Sequence, residues 1–303
     1  MYHFTDTYEG STTVAVDSEG KYYRITDAVE KPRSIDNILD HFTEQQMRTT
    51  GKKRLTMQQI SKLRDAINKD VPPDDDMLKE IYTTIRPIAI ARNERSIISN
   101  VGGLMMVPTK DKTDRIFIGG PAGSGKTYLI SRYIEILRKL GRAKRIFLFS
   151  DLAPEEDTVL EQHGPMRILL DQQLVDNPIQ TKELEDSLCI FDDVDSITDK
   201  DISAAVLSLY DSILKKGSTH NNIDLIVTSH NLNDNKKTKN IVINSNYIVV
   251  FPRTKFGIEY LLTTKAGFDK QYTKKILDMQ SRYAIIHKNY PNYVIGSNEI
   301  FLI

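Results

Sequence analysis

The segment from Gly120 to Thr127 has the residue types and spacing of a phosphate-binding loop, G-x-x-x-x-G-K-[ST]. Its glycines allow successive backbone N–H groups to converge on a phosphate, and the helix expected after the loop presents its positive N-terminus to the same anion. We expect Lys126 to bind the β- and γ-phosphates and the Thr127 hydroxyl to ligate Mg²⁺. The sequence therefore predicts a site for a nucleoside triphosphate with Mg²⁺, formed by Gly120, Pro121, Ala122, Gly123, Ser124, Gly125, Lys126, Thr127 and Tyr128.

A second motif is an apolar stretch that ends in two carboxylates, Asp192 and Asp193. Their position after a predicted strand is typical of the acidic segment of a P-loop ATPase. We expect Asp192 to hold Mg²⁺ through water, and Asp193 to orient or deprotonate the attacking water. Asp195 remains an alternative for the catalytic role.

A third stretch, Asp224–Thr228, is a predicted strand followed by Ser229, His230 and Asn231. Ligands bind at the carboxyl ends of parallel strands, so we expect His230 to contact the γ-phosphate and report its hydrolysis, with Thr228 and Asn231 as weaker candidates. A small-molecule kinase needs no acidic strand followed by such a polar-ended strand. The order of the three motifs therefore indicates the additional-strand class of P-loop ATPases.

The elements that position these motifs alternate between short apolar runs and helices from about residue 96 onward. This alternation predicts an α/β fold with a mainly parallel sheet flanked by helices. Two segments at the C-terminus, Arg282–His287 and Tyr293–Ile303, are predicted as a closing β pair. The other predicted strands are Leu104–Val107, Arg115–Ile118, Arg145–Phe149, Arg167–Leu170, Leu188–Phe191, Leu225–Val227 and Tyr247–Phe251, and the main helices are Thr127–Leu140 and Ile202–Lys216.

The first 95 residues carry no motif that we can relate to chemistry, and we predict a small, mostly helical accessory region there, followed by a P-loop ATPase domain over 96–303. A hairpin is expected from Thr12–Val16 and Lys21–Ile25. The predicted helices are Ile35–Met47, Thr56–Asp70 with a capping box of Thr56 and Gln59, and Met77–Ile85, which should end near Pro87.

Composition excludes several classes of protein. The chain has 303 residues, 40% hydrophobic and 27% charged, which is ordinary for a globular protein and argues against charge-driven disorder. We find no apolar run long enough to span a membrane and no signal-peptide pattern. A single cysteine, Cys189, excludes an internal disulfide and a cysteine-cluster metal site. We therefore expect a reducing compartment and no secretion.

The net charge of zero hides an uneven distribution of charge. From Lys236 onward there are 11 Lys and Arg residues against 4 Asp and Glu residues, so the C-terminal part is basic and the preceding part is acidic. Basic loops can hold DNA phosphates without reading sequence. We predict that the loop Asn233–Asn240 does so through Lys236, Lys237 and Lys239, and the alternative is a solvated charged surface.

Residues 101–290 resemble the FtsK–HerA superfamily, and within it the genome-packaging ATPases of large nucleocytoplasmic DNA viruses. The resemblance lies in GPAGSGKT at 120–127, FLFSD at 147–151, CIFDDVD at 189–195, KKGSTHNNIDLIVTSHN at 215–231 and NSNYIVVFPR at 244–253. It implies a RecA-like core, ATP hydrolysis, a homo-oligomeric ring around double-stranded DNA, and a capsid or portal partner in the host cytoplasm or virion. His230 stands where the wider superfamily often has Gln.

One departure concerns the arginine finger, which in such proteins commonly precedes the sensor strand. This chain has Gly217-Ser218-Thr219-His220 there, and the nearby Lys215 and Lys216 lack a planar guanidinium. Arg253 and Arg167 are the replacements that we consider. The predicted function is an ATP-driven motor that moves DNA into a viral capsid; the alternatives are a P-loop switch or assembly factor that ignores DNA, and a nucleotide or nucleoside kinase.

Overall fold

The computed structural model describes residues 2–5, 8–26, 55–69, 71–93, 96–109, 112–142, 144–232, 238–255 and 257–303. The predicted helix Ile35–Met47 lies outside these residues. Two compact units make up the chain. The first consists of Met1–Thr13, Tyr23–Ile98 and Leu302, and the second of Val14–Tyr22, Ser99–Phe301 and Ile303. The predicted division at residues 95 and 96 stays a prediction.

Three short strands open the chain: β1 (His3–Thr5), β2 (Thr12–Val16) and β3 (Tyr22–Thr26). In the first unit β1 pairs antiparallel with β3. The predicted turn after β2 is present, because the Asp17 N–H donates to the Lys21 carbonyl at 3.1 Å. The Asp17 carboxylate accepts the Glu19 and Lys21 N–H groups, which fixes the turn from inside.

Two helices, α1 (Met57–Lys69) and α2 (Asp76–Asn93), follow in the first unit. The capping box is confirmed: the Thr56 N–H donates to the Gln59 side chain at 2.9 Å, and the Gln59 N–H to Thr56 Oγ1 at 3.3 Å. The predicted end near Pro87 is wrong, because the helix continues to Asn93. Proline removes only one backbone donor, and the good helix formers Ala89 and Ala91 follow it. The two helices share a small core of Ile60, Leu63, Ala66, Leu78, Ile81 and Tyr82.

The remaining elements, in chain order, alternate strands with helices as predicted. The bounds of the predicted strands differ from the observed ones by about two residues or less. These elements are β4 (Ser96–Ile98), β5 (Met105–Met106), β6 (Arg115–Gly119), α3 (Lys126–Lys139), β7 (Arg145–Phe149), α4 (Thr158–Glu161), β8 (Met166–Ile168), α5 (Gln172–Asp176), β9 (Ser187–Phe191), α6 (Lys200–Ser212), α7 (Ser218–His220), β10 (Asp224–Ser229), α8 (Lys239–Asn244), β11 (Tyr247–Val250), α9 (Ile258–Tyr260), α10 (Lys270–Leu277), β12 (Ala284–His287), β13 (Tyr293–Ile295) and β14 (Glu299–Leu302).

The second unit is built on one sheet with the strand order β14-β13-β12-β11-β6-β10-β9-β7-β8. The pairs from β11 to β8 are parallel, and β12 joins the sheet antiparallel to β11 and β13. The predicted α/β fold with a mainly parallel sheet is therefore confirmed. The predicted closing pair is wrong in one respect: its second segment is two strands, because the Gly296 N–H donates to the Glu299 carbonyl at 2.7 Å and closes a turn.

The position of β10 matters most for function, because this strand lies between β6 and β9. Its last residue, Ser229, is in register with Gly119 at the end of β6, and Val227 is in register with Phe191 at the end of β9. The strand predicted to end in sensor residues thus separates the phosphate-loop strand from the acidic strand.

At the opposite end of these strands, a buried polar cluster joins β6 to β10. The Asp114 N–H donates to Asp224 Oδ1 at 2.7 Å, and Lys144 Nζ lies 2.9 Å from Asp224 Oδ2. The Asp114 carboxylate accepts from Thr109 and from the Tyr133 hydroxyl, which belongs to α3. Burial raises the pKa of the Asp114 carboxyl above its usual value. The cluster fixes the starts of the two strands whose other ends carry the site.

None of the helices in the described ranges combines the length and the apolar character needed to cross a membrane.

Candidate nucleotide-binding site

The loop between β6 and α3 has the backbone of a phosphate cradle. The Gly120 N–H donates to the Ser229 carbonyl at 3.0 Å, and the Ser124 N–H donates to the Pro121 carbonyl at 3.2 Å. Gly123 and Gly125 have φ angles of 72° and 112°, which side-chain-bearing residues rarely adopt. A Cβ on Gly120 would lie 2.5 Å from the Phe251 ring. The glycines of the motif are therefore required by this backbone and its packing.

Lys126 begins α3 and is buried, with 6% of its surface exposed. Its ammonium contacts the Gly120 carbonyl at 3.0 Å, Asp193 Oδ1 at 3.3 Å and His230 Nδ1 at 3.1 Å. The structure thus brings together one predicted residue from the loop, one from the acidic strand end and one from the sensor strand end. Tyr128, also predicted at the site, is exposed on the first turn of α3.

The imidazole of His230 links Lys126 to Asp193. Its Nε2 lies 2.7 Å from Asp193 Oδ2, on the side of the ring opposite Lys126. An ammonium can only donate, so Nδ1 accepts from Lys126 and Nε2 carries the proton that is donated to Asp193. Both oxygens of Asp193 are consequently engaged. Asp193 itself lies in the left-handed region, with φ of 46°, which Asp tolerates better than most residues.

Asp192 occupies a different environment, buried beside Thr228 at the end of β10. Thr228 Oγ1 lies 2.8 Å from Asp192 Oδ1 and 2.9 Å from Asp193 Oδ1, and it accepts the Asp193 N–H at 2.6 Å. Burial, followed by the neighbouring charge of Asp193, raises the pKa of Asp192 to about 6. Thr228 therefore holds the acidic pair from the neighbouring strand. The sequence named Thr228 only as a weaker candidate for contact with the γ-phosphate and did not predict this role.

The donors at this edge fit Mg²⁺. Asp192 is a buried carboxylate that forms no ion pair with Lys or Arg in the described part of the chain. Thr127, whose side chain is a hydroxyl, is the second residue of α3. An all-oxygen donor set with few protein ligands is what Mg²⁺ takes when it also binds phosphates. Thr127 and Asp192 are thus the residues that would hold the ion.

Asp195, the alternative catalytic carboxylate, has a positioning role. Its side chain accepts the His230 N–H at 3.0 Å and the Asn231 N–H at 2.9 Å. These bonds hold the backbone of the sensor loop, so that the His230 ring reaches Asp193 and Lys126. Of the two carboxylates, Asp193 is the one that contacts the side chains of Lys126 and His230.

The two candidate arginine fingers differ in their partners. Arg167 is almost buried; its Nε and Nη2 donate to Glu161 Oε1 at 2.8 Å and 2.6 Å, and its Nη1 to the Leu152 carbonyl. Among the described residues, Arg253 makes one hydrogen bond, from Nη2 to the Gln280 carbonyl at 3.2 Å, on the surface. The guanidinium of Arg167 is therefore engaged by residues of its own unit. The guanidinium of Arg253 keeps N–H donors that bind no acceptor among the described residues.

The predicted DNA contacts are described only in part. Lys236 and Lys237 lie outside the described residues, whereas Lys239 begins α8 and is exposed. Lys265 contacts both ends of the connection between β10 and α8, the Leu232 carbonyl at 2.8 Å and Thr238 Oγ1 at 3.3 Å.

Comparison with known proteins gives a relative and several structural neighbours. No protein-family model matches the sequence. The chain is 32% identical over 210 residues to the uncharacterized protein V3 of Sputnik virophage. The aligned region covers 68% of this chain and 84% of the relative.

Among solved structures, the genome packaging NTPase B204 of Sulfolobus turreted icosahedral virus 2, in complex with AMPPCP, matches 62% of this chain and 97% of its own, with 15% identity and a TM-score of 0.43. The pCW3 conjugation coupling protein TcpA, with ATPγS, matches 69% of this chain and 66% of its own, with 12% identity and a TM-score of 0.42.

Proposed function

This chain belongs to the family of the virophage protein V3, and from the geometry of its site we propose that it is an ATP-hydrolysing motor that translocates double-stranded DNA and packages a viral genome into its capsid. The observation that carries the proposal is the convergence of Lys126, Asp193 and His230 within 3.3 Å of one another at adjacent strand ends. The sequence resemblance to viral packaging ATPases supplies the choice of DNA as the substrate that is moved.

ATP hydrolysis follows from the roles of the side chains. The backbone N–H groups of the loop and Lys126 bind the phosphates, and Lys126 leaves Asp193 when a γ-phosphate offers a stronger anion. Asp193 is then free to orient the attacking water and accept its proton. When bound, Mg²⁺ would neutralise charge on the phosphates, held by Thr127 and Asp192.

His230 is proposed as the residue that reports the state of the nucleotide. Its ring contacts both Lys126 and Asp193, so a change at either group changes the hydrogen bonds of the imidazole. Asp195 ties the backbone of His230 and Asn231 to the acidic segment. A shift of His230 would therefore reach the segment after β10. The proposed DNA contacts follow there: Lys236, Lys237 and Lys239, the first residue of α8.

DNA contact is proposed to be electrostatic and independent of sequence. The C-terminal part of the chain carries the excess of Lys and Arg, and phosphate contacts require only positive charge in a groove or channel. A homo-oligomeric ring would place one such loop per subunit along the duplex. Arg253 is the proposed finger toward a neighbouring subunit's nucleotide, because guanidinium donors remain unused there.

The test is an ATPase assay with and without duplex DNA, at two salt concentrations. We expect duplex to stimulate turnover, and DNA binding to weaken as salt rises. Hydrolysis that ignores DNA indicates the switch or assembly factor, and phosphate transfer that needs a nucleoside or nucleotide acceptor indicates the kinase. Either result would overturn the motor.

Matched variants locate the DNA contacts. Replacing Lys236, Lys237 and Lys239 by Ala should reduce DNA binding and its salt dependence, but leave DNA-free hydrolysis unchanged. A control that replaces three exposed lysines elsewhere, Lys182, Lys200 and Lys274, removes the same charge and should retain DNA binding. Equal losses in both triple variants would argue against the proposed loop.

A further inference from the structure

Arg282, which precedes β12, lies against the outside of the phosphate loop. Its Nε donates to the Ser124 carbonyl at 3.3 Å. A Cβ built on Gly125 would lie 3.2 Å from Nη2 and 3.4 Å from both Cζ and Nε of Arg282. The guanidinium therefore covers the Ser124–Gly125 peptide, directly before Lys126.

The backbone of Arg282 is held firmly on both sides. Ser281 is fully buried, and its Oγ accepts the Ser297 N–H at 2.7 Å and the Tyr283 N–H at 3.3 Å. Tyr283 is also buried, and its hydroxyl donates to the Leu104 carbonyl. Arg282 is thus the exposed residue of an anchored segment, and its side chain reaches the loop from a fixed point.

No carboxylate in the described part of the chain neutralises the charge of Arg282. Within the described ranges, its bond to the Ser124 carbonyl is its sole hydrogen bond and it has no ion pair, in contrast to Arg167 with Glu161. Its two Nη groups keep their donors. An unpaired cation thus stands beside a loop built to receive phosphates, where its field favours an anion.

We propose that Arg282 is a second cation of the nucleotide site, supplied within the same chain, that holds the Ser124–Gly125 peptide in its phosphate-binding conformation and adds positive charge to the bound di- or triphosphate. The inference rests on the proposed binding of ATP. It assigns to the nucleotide site a residue that the sequence places only in the basic C-terminal part, 156 positions after Lys126.

The role differs from that of Lys126. Lys126 reaches into the cradle and can contact phosphate oxygens directly, whereas Arg282 acts from the outer side of the loop, through the peptide it holds and through its field. Loss of Arg282 should therefore weaken binding of both ADP and ATP. Loss of Arg282 should have a much smaller effect on the rate at which bound ATP is hydrolysed, because neither Asp193 nor His230 contacts Arg282.

The experiment measures the affinities of ATPγS and ADP, with Mg²⁺, for the full chain and four variants. Arg282→Ala should weaken both nucleotides about tenfold, as expected for loss of one charged interaction at a phosphate site. Arg282→Lys keeps the charge and loses the planar donor, so the affinity for both nucleotides should fall about threefold. The control Lys274→Ala removes an exposed charge from the same part of the chain and should bind like the parent, and Lys126→Ala should bind far more weakly. The melting temperature of Arg282→Ala without nucleotide should equal that of the parent, because the side chain is exposed.

Parent-like affinity of Arg282→Ala would overturn the inference. Equal losses in Arg282→Ala and Arg282→Lys would overturn the assignment of its charge to the phosphates. A parent chain that binds no ATPγS, or a Lys126→Ala variant that binds as well as the parent, would instead remove the proposed nucleotide site itself.

Discussion

The ammonium of Lys126 lies 3.3 Å from Oδ1 of Asp193, so the cation of the phosphate loop is paired with the carboxylate of the acidic segment. His230 occupies the other oxygen of the same carboxylate, at 2.7 Å. A carboxylate with both oxygens engaged is a poor acceptor for a water proton. A nucleotide that draws Lys126 away would release Oδ1 of Asp193. Asp193 should therefore activate water only when the nucleotide is bound.

Replacement of Asp193 by Asn tests this arrangement. We expect ATP turnover to fall at least about a hundredfold, because an amide cannot accept the proton of the attacking water. ATP affinity should be equal or higher, because Lys126 no longer has a competing anion. Asn also tolerates the positive φ at this position.

Single-turnover hydrolysis and ATPγS titration measure the two effects of Asp193→Asn separately. The control is Asp199→Asn, a nearby change at the N-cap of α6 that keeps the cap and should leave turnover unchanged. Unimpaired turnover in Asp193→Asn would exclude Asp193 as the base.

His230 should tolerate Gln better than Ala. Gln supplies an N–H donor and a carbonyl acceptor, so it can maintain contacts with Asp193 and Lys126, and we expect turnover within about tenfold of the parent. Ala removes both contacts and should reduce turnover by about a hundredfold with little change in KM. The test is to measure kcat and KM of His230→Gln and His230→Ala. Similar turnover in both variants would show that the contacts of the His230 ring do not matter for hydrolysis.

Thr228 and Thr273 form a matched pair of buried threonines. Thr228 binds both Asp192 and Asp193, whereas the Thr273 hydroxyl is buried and has no hydrogen-bond partner among the residues that the structure describes. Thr228→Val should lower the free energy of unfolding by about 2 kcal/mol and impair turnover, because it leaves buried polar groups unsatisfied. Thr273→Val should be neutral or stabilising by up to about 1 kcal/mol. Urea denaturation gives both values, and equal costs would contradict this account.

The buried cluster at the starts of β6 and β10 should respond strongly to loss of Lys144. Asp224 is fully buried, and Lys144 Nζ lies 2.9 Å from its Oδ2. Lys144→Met leaves that carboxylate without its closest cation and should destabilise the fold by about 3 kcal/mol. Lys139→Met, at an exposed position of α3, should change stability by less than about 0.5 kcal/mol. Urea denaturation of the two variants gives their unfolding midpoints, and equal midpoints would contradict the prediction.

Several features follow directly from local sequence. The loop Gly120–Thr127 is contiguous, and Gly123 and Gly125 in it answer a local backbone requirement, a positive φ. Gly120 is required instead by its close packing against the Phe251 ring, which is a tertiary contact. The buried strand β6 before the loop and its neighbours in the sheet, β10 and β11, are short apolar runs, and a single sequence shows such runs well. Pro87 is a local signal that fails: one lost hydrogen bond does not end a helix when the following residues favour it.

What the sequence alone determined was therefore the set of chemical groups: the loop, the acidic pair, and a histidine at the end of a third strand. The tertiary structure decided which groups meet. Insertion of β10 between β6 and β9 brings His230 to Lys126 and Asp193, assigns Thr228 to the acidic pair, and turns Asp195 toward backbone N–H groups. On the other side of β6, the pairing of β11 with β6 and of β12 with β11 accompanies the contact of Arg282 with Ser124, across 158 positions of chain. Such contacts depend on strand order and register, which the packing of the whole sheet fixes and no local pattern of residues encodes.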